Sequence, residues 1–571
     1  MVQMNEFALE QQIAYFSMEI GFKSDIPTYS GGLGVLAGDM IRSAVDLNLP
    51  MTAVTLAHRK GYFRQELDTE GRQTERPDEW RPEERLTPLK SRIKVRIEGR
   101  DVYVRAWEHK LESPVTGWKV PIILLDTSLP ENAPEDRAIT DHLYGGDERY
   151  RFKQEVVLGI GGVLMLRALG IGVKKYHMNE GHAGLLTLEL LSRHKKDIES
   201  VWDEKYIWDT EKVMELFVFT THTPVEAGDD RFSYELVTEV MGEVIPLDVL
   251  KELGGKDKLN LTLLAMNLSK YINGVAKKHG EVSNVMFPGY KIQAITNGVH
   301  SATWTCESFA RLFDKYLPGW ANEPDLFVRI DKIPDEEVWQ AHKDAKKRLI
   351  DHVNKTTGAG MDCGTLTIGF ARRATAYKRS TLVFSDIERL KRIGKGRLQI
   401  IYAGKAHPKD FDGKKNIENI FSKAKALLPD IKTVYLPNYD MDLAHMMVSG
   451  VDVWLNTPMR PREASGTSGM KAAHNAVLNL SVLDGWWIEG HIEGYTGWSI
   501  GAMPTETTMT ASSDAEDAED LYRKLERQVL PAYYETPDIW IKMMKNAVGK
   551  NAYYFNSHRM MRRYVTEAYI R

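Results

Sequence analysis

A chain of 571 residues is too long for a single core, and at about 150 residues per domain it asks for several. Hydrophobic residues make up 43% and charged residues 27%, as in ordinary soluble globular proteins, and 75 Lys+Arg against 79 Asp+Glu leave a net charge of −4, which excludes a nucleic-acid binder working through bulk charge. The longest apolar run, Val156–Leu166, falls well short of the ~18 residues of a membrane span, and Met1-Val2-Gln3 does not open a basic-then-apolar leader. Two cysteines, Cys306 and Cys363, make neither a disulfide framework nor a thiolate metal site, so a reducing cytoplasm is the expected compartment.

Taken in chain order, Ser30-Gly31-Gly32-Leu33-Gly34 is a glycine-rich loop opening a helical stretch towards Asp39 and Ala44. Its amides either face an anion or make a tight turn. Asp68–Glu84 is polar and reads as loop. Ile93–Ile97 and Val102–Val104 alternate at period two around Gly99, which predicts a β-hairpin. Short apolar strands then alternate with helical stretches: Val120–Leu125, Val173–Met178, Leu216–Thr221 and Ile292–Thr296, followed by Leu366–Phe370, Leu398–Ala403, Thr433–Leu436, Val451–Leu455 and Val477–Leu483. This rhythm predicts an α/β fold with parallel sheets. Gly159-Ile160-Gly161 lies inside an apolar helix with Leu164 where a dinucleotide fingerprint needs glycine, so it is not one. Asp314–Asp351 is charged and helical and suits a bridge between two domains. Asp514–Asp520 reads as an acidic helix start, and Tyr553–Arg571 as a surface helix.

Several strands end in polar or glycine-rich residues, where chemistry collects in open α/β sheets. His177, His182, His222 and His300 stand near such ends, but no His-x-x-x-His spacing occurs and no metal site is expected. Trp486 and Trp487 either pack in a core or line a sugar surface. The strand Phe370 onward delivers Arg372, Arg373, Lys378 and Arg379 within eight residues, which either converge on a phosphate or form a solvated basic face. Glu463-Ala464-Ser465-Gly466-Thr467-Ser468-Gly469-Met470-Lys471 is a small-residue loop running into a helix. Gly466 and Gly469 let amides approach an anion, with a structural turn as the alternative. Lys471 near a helix start, where positive charge is disfavoured, fits an amine that is neutral or covalently used. Three phosphate-friendly loops from distant positions suggest a cleft between two α/β domains holding more than one phosphate group.

These residues resemble a known family. Glu463–Lys471 is similar to the pyridoxal-phosphate attachment site of the α-glucan (glycogen, starch, maltodextrin) phosphorylases, and Gly31-Gly32-Leu33-Gly34, Asn273-Gly274-Val275-Ala276, Thr296-Asn297-Gly298 and Tyr377-Lys378-Arg379 follow in the family's order over most of the chain. The resemblance implies two Rossmann-like domains facing a deep cleft (the GT-B arrangement), 1–296 with the β-hairpin inserted and 297–571 carrying pyridoxal 5′-phosphate, the last helix packing back on the first domain. It implies a retaining glycosyltransferase that reversibly transfers the non-reducing-end glucose of an α-1,4-glucan to inorganic phosphate, giving α-D-glucose 1-phosphate, with the cofactor's 5′-phosphate shuttling the proton. By the same resemblance Lys471 attaches the cofactor, Arg372 and the backbone of Gly466, Thr467 and Ser468 hold its phosphate, and Trp304 and Tyr439 pack near its ring. Arg373 and Lys378 hold the substrate phosphate with the amides of Gly32 and Leu33. Asn297, Glu463, Ser465, Gly466, Tyr377 and His222 hold the transferred glucose. A homodimer is common in the family.

The sequence departs from the family pattern at Ser30 (usually Asn), Thr375 (usually His), His474 (usually Leu or Met) and Gly21 (often aromatic), and the chain is shorter than the long phosphorylases, so their regulatory N-terminal extension is expected to be missing. A nucleotide-sugar glucosyltransferase would carry a second Glu eight positions after Glu463, where Lys471 stands instead. A glucan-binding protein with a dead site would not need Lys471, Arg373, Lys378, Glu463 and Asn297 together.

Overall fold

The structure, a computed structural model, describes residues 13–197, 207–224, 230–502 and 513–570. Among the described residues nine strands of the chain's first half form one sheet and six of the second half another, with two short antiparallel pairs, Arg64–Leu67 with Gln73–Arg76 and Arg231–Ser233 with Lys258–Asn260, set apart in the first half. Across the first sheet the order is Gln293–Ala294, Tyr271–Gly274, Phe217–Thr220, Lys175–Asn179, Ile13–Ser17, Met51–Leu56, Lys119–Asp126, Arg100–Glu112, Thr87–Ile97. Pairing is parallel except at the last two strands, the expected hairpin, which returns antiparallel and carries alternating exposed residues on its free side. The second sheet, Lys432–Leu436, Leu398–Ala403, Leu366–Ala371, Val453–Asn456, Leu478–Val482, Gly497–Ile500, is parallel throughout. Its central strand Leu366–Ala371 pairs Ile368 with Ile400 on one side and with Val453 on the other, and is buried along its length. A strand covered on both faces is mostly apolar along its length, and its one polar residue, Thr367, is buried too.

Three sequence expectations change. Asp68–Glu84 is not all loop. Gln73–Arg76 pairs antiparallel with Arg64–Leu67, turning at Gly71 (φ +81°), and Pro82–Arg85 is a helical turn. This hairpin leaves the first half and docks on the second: Gln65 and Gln73 donate side-chain amides to the carbonyls of Gly404 and Ala406 at 2.9 and 2.8 Å, and Gly71 lies against Phe421. Asp314–Asp351 does not bridge domains. Prolines break it into the helix Glu307–Tyr316, the 3₁₀ stretch Pro324–Lys332 and the helix Asp335–Thr357, and Trp320, Phe327, Ile330 and Val338 all bury in the second sheet's core. Tyr553–Arg571 is not a plain surface helix. In Ser557–Tyr564 and Val565–Tyr569 one face, with Met560, Met561, Tyr564 and Tyr569, sinks into the first sheet's core; Arg571 lies outside the described residues.

The acidic helix start at Asp514 is present, capped by Ser513 in a reciprocal capping box with Glu516. Trp486 and Trp487 are buried in core packing. Among the described residues no helix is long and apolar enough to cross a membrane.

Candidate active site

The carboxyl ends of the central strands of both sheets carry the polar residues. After Ile13–Ser17 comes Glu19, which sequence reasoning missed. Its carboxylate accepts the Ser30 amide at 2.6 Å, the Gly31 amide at 3.2 Å and the Tyr144 hydroxyl at 3.0 Å. This contact explains Gly34, where a Cβ would come within 2.7 Å of Glu19 Oε2. The helix Gly32–Asp46 then starts with no side chain capping it and no acid in its first turn. Its first amides, those of Gly32 and Leu33, and the helix dipole are thus available to an anion entering from the cleft. Arg373 reaches the same loop, its guanidinium 3.6 Å from where a Gly31 Cβ would stand, and is faced by Tyr377, Tyr62, Glu19 and Tyr144.

Lys175–Asn179 and Phe217–Thr220 deliver Glu180 and His222. Glu180 adopts φ +73°, an uncommon conformation for a side-chain-bearing residue. Its carboxylate accepts from the Gly181 and His222 amides at 3.0 and 2.7 Å and from Thr223 Oγ1 at 2.9 Å, while burial raises its pKa. His222 Nε2 lies 2.7 Å from Asn179 Oδ1, whose own amide is turned to Ser17. The acceptor there places the ring proton on Nε2 and leaves Nδ1 as an acceptor. Burial, reinforced by the neighbouring histidines, lowers the His222 pKa to about 3, so the ring is neutral. His177, by contrast, is structural, bonded to Tyr569 and Thr220 at 2.7 and 2.8 Å. Asn297 is buried with an unpartnered Oδ1.

In the second half the four cations do not share one target. Lys378 Nζ and Arg372 both hold Glu463, at 2.8 and 2.5 Å, and Arg372 also bonds Asn456. Arg379 pairs with Asp517 and Asp514 and is structural. Arg373 alone turns to the glycine loop, so Arg373 and Lys378 share Tyr377 but not a counter-charge. Burial pushes the Glu463 carboxyl up, but the charges of Arg372 and Lys378 prevail and hold it at about 2. The Glu463 amide in turn donates to Asp484 at 2.9 Å, and burial lifts Asp484 to about 7. Tyr377 lies under Lys378 Nζ at 4.4 Å. Tyr439 is half-buried near Arg372.

Lys471 sits in the helix Ser468–Ala473, too short for its start and end to differ much. Burial, rather than the helix dipole, lowers its pKa to about 8, against an upward pull from Asp39. Its Nζ lies 4.1 Å over the Trp304 ring, and among the described residues no carboxylate pairs with it. Thr467 precedes the helix without a side-chain cap, and Ser465 Oγ is buried with no partner. Gly466 has φ +85°, and at Gly469 a Cβ would come within 2.4 Å of Asn479 Oδ1 and 2.8 Å of Trp486, so both positions require glycine.

Two mostly parallel sheets with their strand ends turned to a common cleft define a GT-B glycosyltransferase architecture. Residues 208–493 match the sequence profile of the family described as carbohydrate phosphorylase. Maltodextrin phosphorylase of Thermococcus litoralis is 40% identical over 98% of this chain and 70% of its own length. Glycogen phosphorylase of Aquifex aeolicus is 37% identical over 99% of this chain and 87% of its own, and that of Mycobacterium tuberculosis strain H37Rv 36% over 98% and 71%. The chain belongs to the carbohydrate phosphorylase family, among the α-glucan phosphorylases its motifs resemble.

Proposed function

We propose that this chain is a retaining α-1,4-glucan phosphorylase acting in the cytoplasm, with residues 1–296 and 297–571 as its two domains and a homodimer as its assembly. It releases the non-reducing-end glucose of a maltodextrin or glycogen chain as α-D-glucose 1-phosphate and runs the reaction in reverse. The observation that carries this reading is Lys471: a buried amine, depressed to about 8, lying on an indole and lacking a counter-ion among the described residues. A lysine so placed suits attachment of an aldehyde.

The residues fit pyridoxal 5′-phosphate. Uncapped amides at Thr467 and Ser468 with the Arg372 guanidinium suit its phosphate, and Trp304 and Tyr439 suit its ring. When bound, the group supplies an ionisable phosphate with a second pKa of about 6, which exchanges a proton near neutral pH. Arg373 and the amides of Gly32 and Leu33 hold inorganic phosphate beside it, and Lys378 offsets the repulsion of two close anions. Binding phosphate asks Arg372 and Lys378 to share the charge they now give to Glu463.

Glu463, Ser465, Gly466, Asn297, Tyr377 and His222 orient the glucose. The orphaned Ser465 Oγ and Asn297 Oδ1 await hydroxyl partners, and neutral His222 accepts a hydroxyl at Nδ1. As the glycosidic bond breaks, positive charge grows on the sugar ring. The backbone carbonyl at His222 and the phosphate face stabilise it. Among the described residues no side-chain nucleophile is placed for a covalent intermediate, and retention is then expected from phosphate returning on the face it leaves.

The test is phosphate-dependent release of glucose 1-phosphate from maltodextrin. Lys471→Ala is expected to lose at least about a thousand-fold, the scale of an essential proton-transfer group. Activity within tenfold of the parent, or turnover of UDP- or ADP-glucose instead, overturns the reading.

A further inference from the structure

Outside the cleft, three side chains from distant stretches meet where the chain's two halves join. Asp46 ends the glycine-loop helix, His300 precedes the helix Ser301–Trp304, and His558 lies in the C-terminal helix Ser557–Tyr564. One ligand atom from each, two imidazole nitrogens and a carboxylate oxygen, lies within 4.8 Å of the others. His300 Nε2 is 2.8 Å and His558 Nε2 3.7 Å from Asp46 Oδ2, and the two rings stack with centroids 5.6 Å apart. Both rings turn Nε2 to the same point because a hydroxyl holds each Nδ1: Thr303 Oγ1 at 2.7 Å for His300, Ser43 Oγ at 3.2 Å for His558. Such outer partners are what orient metal-ligating histidines. His558 is fully buried, and its Nε2 faces this point without a hydrogen-bond partner.

We propose that Asp46, His300 and His558 bind a divalent transition-metal ion of the zinc class. Two imidazoles and one carboxylate suit zinc and its neighbours, whereas calcium and magnesium take oxygen ligands. Tetrahedral bonds of about 2.0–2.1 Å separate ligand atoms by about 3.4 Å, and the separations to Asp46 bracket that value. Binding requires a lone pair on each Nε2. The His300 ring proton that now faces Asp46 moves to Nδ1, where Thr303 Oγ1 accepts it in place of the 3.3 Å bond that Nδ1 now takes from the Thr303 amide, so no net proton need leave. Water completes the fourth position. The bound ion ties the glycine-loop helix, the segment after Asn297 and the C-terminal helix together. Positions 46, 300 and 558 show no ligand spacing, so the sequence could not signal the site.

The experiment uses the full-length protein, treated with a chelator, loaded with Zn²⁺, and dialysed free of excess. The parent is expected to retain about one zinc per chain and to melt at a higher temperature with zinc than without. His558→Gln and Asp46→Asn are expected to lose both properties while keeping phosphorolysis within a few-fold, which separates this site from the cleft. If His558→Gln does not fold, Asp46→Asn carries the comparison. Failure of the parent to retain zinc, or full retention by a folded variant, overturns the proposal.

Discussion

Asp39 accepts the indole N–H of Trp304 in both carboxylate oxygens, at 2.9 and 3.1 Å. Asp39 is completely buried on the helix whose first turn faces the proposed phosphate site, and Trp304 lies beneath the Lys471 amine. One helix therefore sets both the proposed anion site and the ring on which the amine rests. The Asp39 charge also pulls the Lys471 pKa up against burial. Asp39→Asn keeps the shape and removes the charge, so the pH midpoint for cofactor attachment to cofactor-free protein is expected to fall below the parent's. A midpoint that stays in place would show that Asp39 acts on Trp304 alone.

Glu463 is the shared counter-ion of two buried cations. Glu463→Gln leaves Arg372 and Lys378 unpaired, at a cost of about 3–5 kcal/mol. The carboxyl drops from 4.5 to about 2 on folding, so its contribution is present above pH 4.5 and fades as pH falls towards 2. Urea denaturation of cofactor-free protein at pH 7 and pH 3 checks both points. Inorganic phosphate is expected to raise the variant's midpoint more than the parent's, because it replaces the missing anion. An equal response would place phosphate elsewhere.

Lys471 destabilises the cofactor-free fold. Its pKa falls from 10.5 to about 8, so the folded state holds fewer protons than the unfolded one between those values. The penalty is full below pH 8, on the order of 3 kcal/mol, and vanishes as pH rises to 10.5. Lys471→Met is therefore expected to be more stable than the parent at pH 7, with the gain shrinking towards pH 10. A pH-independent difference would assign the effect to packing.

Gly298 passes so close to the C-terminal segment that a Cβ would sit 2.2 Å from the Asn556 carbonyl oxygen. Backbone bonds pin the two chains there, Val299 N–H to Phe555 O at 3.0 Å and Ser557 N–H to Val299 O at 2.9 Å. Gly298→Ala is expected to cost about 2 kcal/mol and to expose the C-terminal helix to proteolysis. Unchanged protease resistance would mean the segments part without loss.

The strands of the second half were legible because burial on both faces leaves mostly apolar stretches, in which Thr367, Gln399, Asn479 and Ser481 are isolated buried polar residues. Leu398–Ala403 matches its expected limits, and Leu478–Val482 falls within the run from Val477 to Leu483. Met51–Leu56, equally central and likewise carrying two buried polar residues, Thr52 and Thr55, was missed. The glycine loops and the cation cluster were visible as local clusters. Glu19, Asp39 and Glu180 were not, because each is a lone acid in its own stretch and gains meaning only from partners far along the chain. The division of labour among the cations was hidden for the same reason: Arg372 and Lys378 share Glu463, while Arg373, next to Arg372 in sequence, faces Glu19.

The hairpin formed by Arg64–Leu67 and Gln73–Arg76 has a mechanical consequence. It rivets one rim of the crevice, with Gln65 and Asn438 exchanging backbone-to-side-chain bonds at 3.2 and 2.9 Å and Lys414 paired with Glu75 at 2.7 Å. Gaping like a clamshell would tear these fastenings together. Any relative motion of the two halves is therefore expected to pivot about this rim.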